Sequence, residues 1–373
     1  MSRNSLIFAC FWIALNGRGF AQKPKPEAAK GFGERHISRL PHNAESCSAC
    51  HIVPGIGGSS RVTVVHSGEH IRGRFKEDST SGMVGTELRV KIKDSTANGL
   101  RVTPSILGDG YVEAVPDDEL KAIAVRQIRE THGKIHGTCN NVTLPQSIGN
   151  AKAVGRFGWK SQHASLLSAS AHALDSELGV PNYFFSKARG STVFSRNRKT
   201  QSEKAELNEL EAILAFLRSI EPIAPDIDRS NTESSRAGSR LFDKIGCAIC
   251  HVRTLRTAPA GSSLDANTII VSAELGNRDF HPYSDFLLHD VGTGDGILQN
   301  IEPQDYDETT ANKFRTAPLW GVRFRSWLMH DGKSVTYHQA IMRHAGESVD
   351  VIGRYQQLTP IEKEQLRLFL DSL

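Results

Sequence analysis

Two short strings hold the residues with the most distinctive chemistry, Cys47-Ser-Ala-Cys50-His51 and Cys247-Ala-Ile-Cys250-His251. Both read CxxCH. Two thiols three residues apart can form thioethers to the two vinyl groups on one haem edge, and the imidazole that follows then lies beneath the ring as an iron ligand. CxxC pairs also bind zinc or close as disulfides. A single tetrahedral zinc site draws its ligands from a short stretch, whereas these pairs stand 200 residues apart and each has its own adjacent His. The pattern therefore predicts two covalently bound c-type haems, held at Cys47, Cys50, Cys247 and Cys250, with His51 and His251 on the irons.

Such sites need helices to frame them. Ahead of the second string, SRAGSRLFDKIG at 235–246 spaces Leu241, Phe242 and Ile245 as one helical face and ends on Gly246, a stop beside the first thiol. The chain closes with TPIEKEQLRLFLDSL at 359–373, where a Thr cap and a Pro at the first helical position open an amphipathic run. A similar closing helix stands at 206–220, so FLRSI and FLDSL end the two halves. Further echoes pair RVTP at 101–104 with RTAP at 315–318, and FGWKS at 157–161 with HDGKS at 330–334. These repeats predict a mainly α fold of two cytochrome c-like domains, at 22–220 and 236–373, joined by a polar Pro-containing linker at 221–235. The β-branched runs near 62–65 and 84–92 predict one small hairpin in the N-terminal half.

Composition is that of a globular chain: 373 residues, 39% hydrophobic and 23% charged. The net charge of +4 is spread over 45 basic and 41 acidic residues, which gives no support to a nucleic-acid role. Residues 1–21 have the layout of a signal peptide: Arg3, an apolar run at 6–15, then small residues up to Ala21. Ten apolar residues are too few to span a bilayer, so the expectation is export to the periplasm, with Cys10 removed and no membrane span in the mature chain. Cys139, in HGTCNNVT at 136–143, is the one unpaired thiol of the mature chain; without a basic neighbour in sequence it reads as inert.

With these strings in view, the chain resembles the di-haem oxidoreductases related to bacterial di-haem cytochrome c peroxidases. The resemblance rests on CSACH, RVTPSILGDGYVEAVPDDEL, GRFGWKS, PYSDFLLHDVGTG, FRTAPLWG, LMHDGKS and RHAGE, in family order. It implies a C-terminal electron-transfer haem whose sixth ligand follows the His-Asp-Gly motif by fourteen residues, which selects His344. A helix starting near Thr336 would place Tyr337, Ile341 and His344 on one face. The relatives usually have Met there, so Met342 and Met329 compete, and an imidazole would lower the potential relative to a thioether. For the N-terminal, peroxidatic haem, His66 lies fifteen residues past His51 with His70 nearby; either is a sixth ligand or an exposed loop histidine.

The relatives also use a Glu downstream of an inter-haem Trp to move a proton during peroxide cleavage. Here Glu177 follows Trp159 by eighteen residues, in Ser-Glu-Leu-Gly. Glu177 reads as that acid-base group or as a solvated carboxylate at a helix end, and Trp159 as the electron bridge or as a core aromatic; Trp320 and Trp327 share that ambiguity. Arg315 offers a bidentate fork to a haem propionate. The resemblance thus implies peroxide reduction at the N-terminal haem, with electrons from a small cytochrome or cupredoxin entering through the C-terminal one. Two alternatives stand: a non-enzymatic electron carrier, and oxidation of a partner protein through a high-valent haem. Calcium is a further cofactor for which the sequence shows no ligand pattern.

Overall fold

The computed structural model describes residues 47–373 except 61–62, 72–73, 78–82, 86–96, 148, 179, 181, 186–200 and 300. The expected signal segment and Cys10 lie outside the described residues, as does part of the expected hairpin near 84–92. The described chain is helix-rich, with nine α-helices and a few small sheets.

In the N-terminal half, the strand β1 (Thr63–Ile71) pairs antiparallel with β2 (Arg74–Glu77), β3 (Met83–Gly85) and β4 (Ala97–Val102). The expected hairpin is therefore part of a four-stranded sheet. The larger sheet arises because β4, GLR-containing and without a clear alternation, finds its partner in β1 only through tertiary pairing. At its end β4 delivers Arg101 and Val102 to the middle of the molecule, where the Val102 amide donates to the His330 carbonyl at 2.7 Å.

Helices α1 (Asp109–Glu113), α2 (Asp117–Glu130), α3 (Leu166–Ser176) and α4 (Gln201–Ser219) follow. The last begins five residues earlier than the amphipathic pattern at 206–220 suggests. The expected linker at 221–235 contains a one-turn helix, α5 (Ile227–Ser230), and the first residues of α6 (Glu233–Ile245). Thr232 caps α6 by accepting from the Ser235 amide, Leu241, Phe242 and Ile245 are buried, and Gly246 ends the helix at φ +97°, a left-handed conformation that glycine adopts without a Cβ penalty. This stop aims the chain into the 3-10 turn Cys247–Ile249, so the helix end itself places the thiols.

After α7 (Tyr337–Met342) and α8 (Val349–Gln356), the closing helix α9 (Pro360–Leu370) starts with a complete capping box between Thr359 and Glu362 and buries Leu366, Phe369 and Leu370. It crosses α6 at Gly238, where the two backbones approach closely: a Cβ on Gly238 would sit 1.9 Å from the Gln365 carbonyl oxygen.

The sequence echoes have structural counterparts. Phe157 bridges His163, and Leu328 bridges Ser334, each across the same interval. Two residues past each bridge stands a helix cap, Ser165 for α3 and Thr336 for α7. The hydrophobic interior does not follow the repeats. Its largest cluster joins Val112, Leu120, Leu166 and Leu214 to Val252, Phe280, Phe286 and Trp320, whereas a second cluster, including Phe242, Tyr355 and Phe369, comes from residues 242–373 alone.

Candidate haem sites

A cavity of about 1600 Å³, counting its mouth, lies in the C-terminal part and is lined by Cys247, Cys250, His251 and His344. His251 donates through Nδ1 to the Tyr283 carbonyl at 2.9 Å, and His344 through Nδ1 to the Ala340 carbonyl at 2.8 Å. A carbonyl can only accept, so each neutral ring keeps its proton on Nδ1 and leaves the Nε2 lone pair for a metal. Burial pushes the His251 pKa down to about 4, against the pull of the Tyr283 carbonyl, and nearby His344 acts in the same direction. Burial likewise lowers His344. Both rings are thus neutral bases, the form in which imidazole ligates iron. Burial also raises both thiols, Cys247 to about 12. The donor set and apolar walls fit a haem held at Cys247 and Cys250, with His251 and His344 as the available imidazole donors.

Helix α7 stops at Met342, short of the expected extent, and His344 sits two residues beyond it, in a turn closed by its amide on the Ile341 carbonyl. Of the two competing methionines, Met329 lines the cavity and Met342 does not, its side chain being partly exposed to solvent.

At the first string, Cys47 is exposed while Cys50 and His51 are half-buried. His51 repeats the pattern of His251: its Nδ1 lies 3.2 Å from the Gly58 carbonyl, and burial lowers its pKa against the pull of the Gly58 and Pro104 carbonyls. The turn after His51 docks on the RVTPS segment, with Ser59 Oγ donating to the Thr103 carbonyl at 2.8 Å. Glu177 is the residue at the C-terminal end of α3, half-buried. It lies close enough to Cys50 that its charge, after burial, helps to raise that thiol. The structure therefore brings Glu177 to the first CxxCH string.

Trp159 is half-buried. Its indole Nε1 donates to the Val102 carbonyl at 2.6 Å, its ring meets His330 edge-on at 6.2 Å, and it lines the cavity together with Ser59, Pro104 and Ser105 from the side of the first site. Trp327 also lines the cavity; Trp320 is buried in the main core instead. Arg315 is buried, donates through Nε to the Gly158 carbonyl at 2.8 Å and reaches the cavity wall. Burial lowers its pKa to about 10, with Asp109 opposing.

His66 lies within hydrogen-bonding distance of the Gln299 side-chain amide, which in turn accepts from Arg101. The His70 side chain lies outside the described residues. Cys139 is half-buried, and burial raises its thiol to about 11, which suits the inert reading.

Sequence reasoning missed two features of the cavity. Arg325 also lines it, with its pKa lowered to about 10 by burial and by the neighbouring Arg315 charge. His289, buried beside Cys250, lies between Asp285 and Glu347. The i, i+4 pair Asp285 and His289 stands inside PYSDFLLHDVGTG and was the available signal; Glu347 ends the RHAGE string 58 residues further on, and only the fold joins it to them. Among the described residues, Cys250, Asp285 and His289 form the one group with metal-ligand proximity.

The chain belongs to the di-haem oxidoreductase family: the family profile described as "Di-haem oxidoreductase, putative peroxidase" matches residues 73–373. The match begins after the first CxxCH string. Membership makes the protein an oxidoreductase of peroxidase-like type and implies two haem cofactors. No curated protein matches the sequence. Among solved structures, the chain is similar to the hydrazine synthase of Kuenenia stuttgartiensis, at 18% identity over 74% of this chain and 73% of that one, with a TM-score of 0.37. It is similar to a MauG-like protein associated with microbial copper homeostasis, at 20% identity over 62% and 79%, with a TM-score of 0.34. The diheme peroxidase BthA from Burkholderia thailandensis matches at 15% identity over 60% and 66%, with a TM-score of 0.37. Among the described residues no helix is long and apolar enough to cross a membrane.

Proposed function

We propose that the protein is an exported, periplasmic c-type cytochrome with two covalently held haems. It reduces peroxide at the N-terminal haem with electrons that enter through the C-terminal one from a small cytochrome or cupredoxin. The observation that carries this reading is the shared construction of the two strings: each CxxCH histidine is tied through Nδ1 to a backbone carbonyl, and the cavity at the second also carries the His344 imidazole.

When bound, the haems supply the redox chemistry. Cys47 and Cys50, and Cys247 and Cys250, would hold them; His51 and His251 would ligate the irons, His344 would be a further nitrogen donor at the second site, and Arg315 would pair with a propionate through its fork. Glu177 takes a proton from one oxygen of a peroxide and returns it to the other, turning the distal oxygen into a water leaving group. Trp159, on the cavity wall with Ser59, Pro104 and Ser105, is the aromatic path for electrons.

Denatured protein from cells with working haem maturation should keep close to two haems per chain, and Cys50→Ala and Cys250→Ala should each remove one; a metal-free or zinc-loaded chain would end the reading. Glu177→Gln should keep both haems and lose peroxide turnover by about 10² to 10⁴, the usual worth of positioned acid-base catalysis. Glu113 is the contrasting carboxylate. It is buried, and its oxygens accept from the Leu166 amide at 2.8 Å and from Arg218 at 2.6 Å, so Glu113→Gln should cost stability and spare turnover. Unchanged turnover in Glu177→Gln would remove the assigned role.

A further inference from the structure

Beside Cys250, where His289 reaches the cavity wall, stands a buried cluster of charged groups. His289 is 2% exposed, with Nε2 at 2.9 Å from Asp285 Oδ2 and Nδ1 at 2.8 Å from Glu347 Oε2. Asp285 is fully buried and also accepts from Gln127 at 2.7 Å and from the Leu287 amide at 3.0 Å. Glu347 also accepts from the amides of His136 at 3.0 Å and Asp290 at 2.9 Å. Carboxylate oxygens facing a ring nitrogen can only accept unless they are protonated, and these are already supplied with donors by the surrounding amides. Both nitrogens of His289 therefore bear protons and the ring is a cation. Burial alone would lower its pKa; where Cys250 is a thiolate, its charge and that of Asp285, with the Asp285 hydrogen bond, outweigh burial and raise it well above the ordinary value. Thioether formation removes the Cys250 charge and leaves the two carboxylates in place.

This cation lies 3.8 Å, measured from Nδ1, from the Cys250 sulfur, the atom that would join the haem edge. We infer that the Asp285–His289–Glu347 cluster is a fixed electrostatic element that sets the reduction potential of the second haem, His289 raising it and the two carboxylates lowering it. Between buried groups, charges at this range act with less screening than at the surface. The cluster also explains the metal-like grouping of Cys250, Asp285 and His289: the imidazolium occupies the place of a cation. Its members are positioning residues, since none is proposed to touch iron or substrate.

The inference rests on haem attachment at Cys250, and the haem count tests that separately: a chain lacking the second haem overturns both. With both haems present, redox titration of the holoprotein at about pH 8, where facing carboxylates least retain a shared proton, should show opposite shifts. His289→Gln should lower the potential of the second haem, and Glu347→Gln should raise it. A purely structural role would loosen the same network in both variants and move the potential one way. Shifts of the same sign, or none in either variant, would overturn the inference. Should His289→Gln fail to accumulate with two haems, Glu347→Gln and Asp285→Asn must both raise the potential, and failure of either to do so is equally fatal.

Discussion

The crossing of α6 and α9 offers a test of how the second site is framed. Replacing Gly238 by Ala would place a Cβ 1.9 Å from the Gln365 carbonyl oxygen, 2.5 Å from its carbon and 2.9 Å from the Leu366 nitrogen. All three are backbone atoms, so no side-chain rotation relieves the collision. Ordinary contact begins near 3.4 Å, and the helices would have to part by about 1.5 Å. Overpacking of this kind costs about 1–3 kcal/mol, against a gain of about 0.5–1 kcal/mol from replacing Gly by Ala in a helix. Gly353, inside α8, is the matched control, because nothing lies within 4 Å of its added Cβ. Chemical denaturation followed by circular dichroism should therefore show Gly238→Ala destabilised by about 1–2 kcal/mol and Gly353→Ala stabilised by about 0.5–1 kcal/mol. The consequence reaches the site, since α6 runs straight into Gly246 and Cys247. Equal stabilities for the two variants would refute the claim that close helix contact holds this frame.

Two other outcomes follow from the cavity and its surroundings. His344→Ala should turn a low-spin centre into a high-spin one that binds carbon monoxide, while Met342→Ala, altering a side chain that does not line the cavity, should leave the spectrum nearly unchanged; the reverse result would transfer the ligand. Burial would raise Glu347, yet the His289 hydrogen bond and charge, with two backbone amides, hold it at about 2, so its contribution to stability is present above the ordinary value of 4.5 and is lost as pH falls from there towards 2. Acid unfolding should accordingly be steeper over that window in the wild type than in Glu347→Gln, and identical profiles would contradict the assignment.

The local parts of this protein were legible in the chain because each is governed by neighbours. The CxxCH strings, the Gly246 stop, the Thr359 cap and the amphipathic faces of α6 and α9 need only spacing and residue type, and those interactions act within a few residues. The repeat of bridge and helix cap after Phe157 and Leu328 was visible as FGWKS and HDGKS for the same reason. What lay beyond the sequence depended on partners far apart in the chain. The hairpin became a four-stranded sheet because β4 meets β1 across an intervening stretch, and α7 ended before His344, which its backbone-tied imidazole nonetheless brings to the cavity. The Asp285–His289–Glu347 cluster needed a residue 58 positions away, and only folding pays the desolvation of three charges by enclosing each with its counterpart. Chemistry carried by adjacent residues is written along the chain; the electric field around it is assembled by tertiary packing.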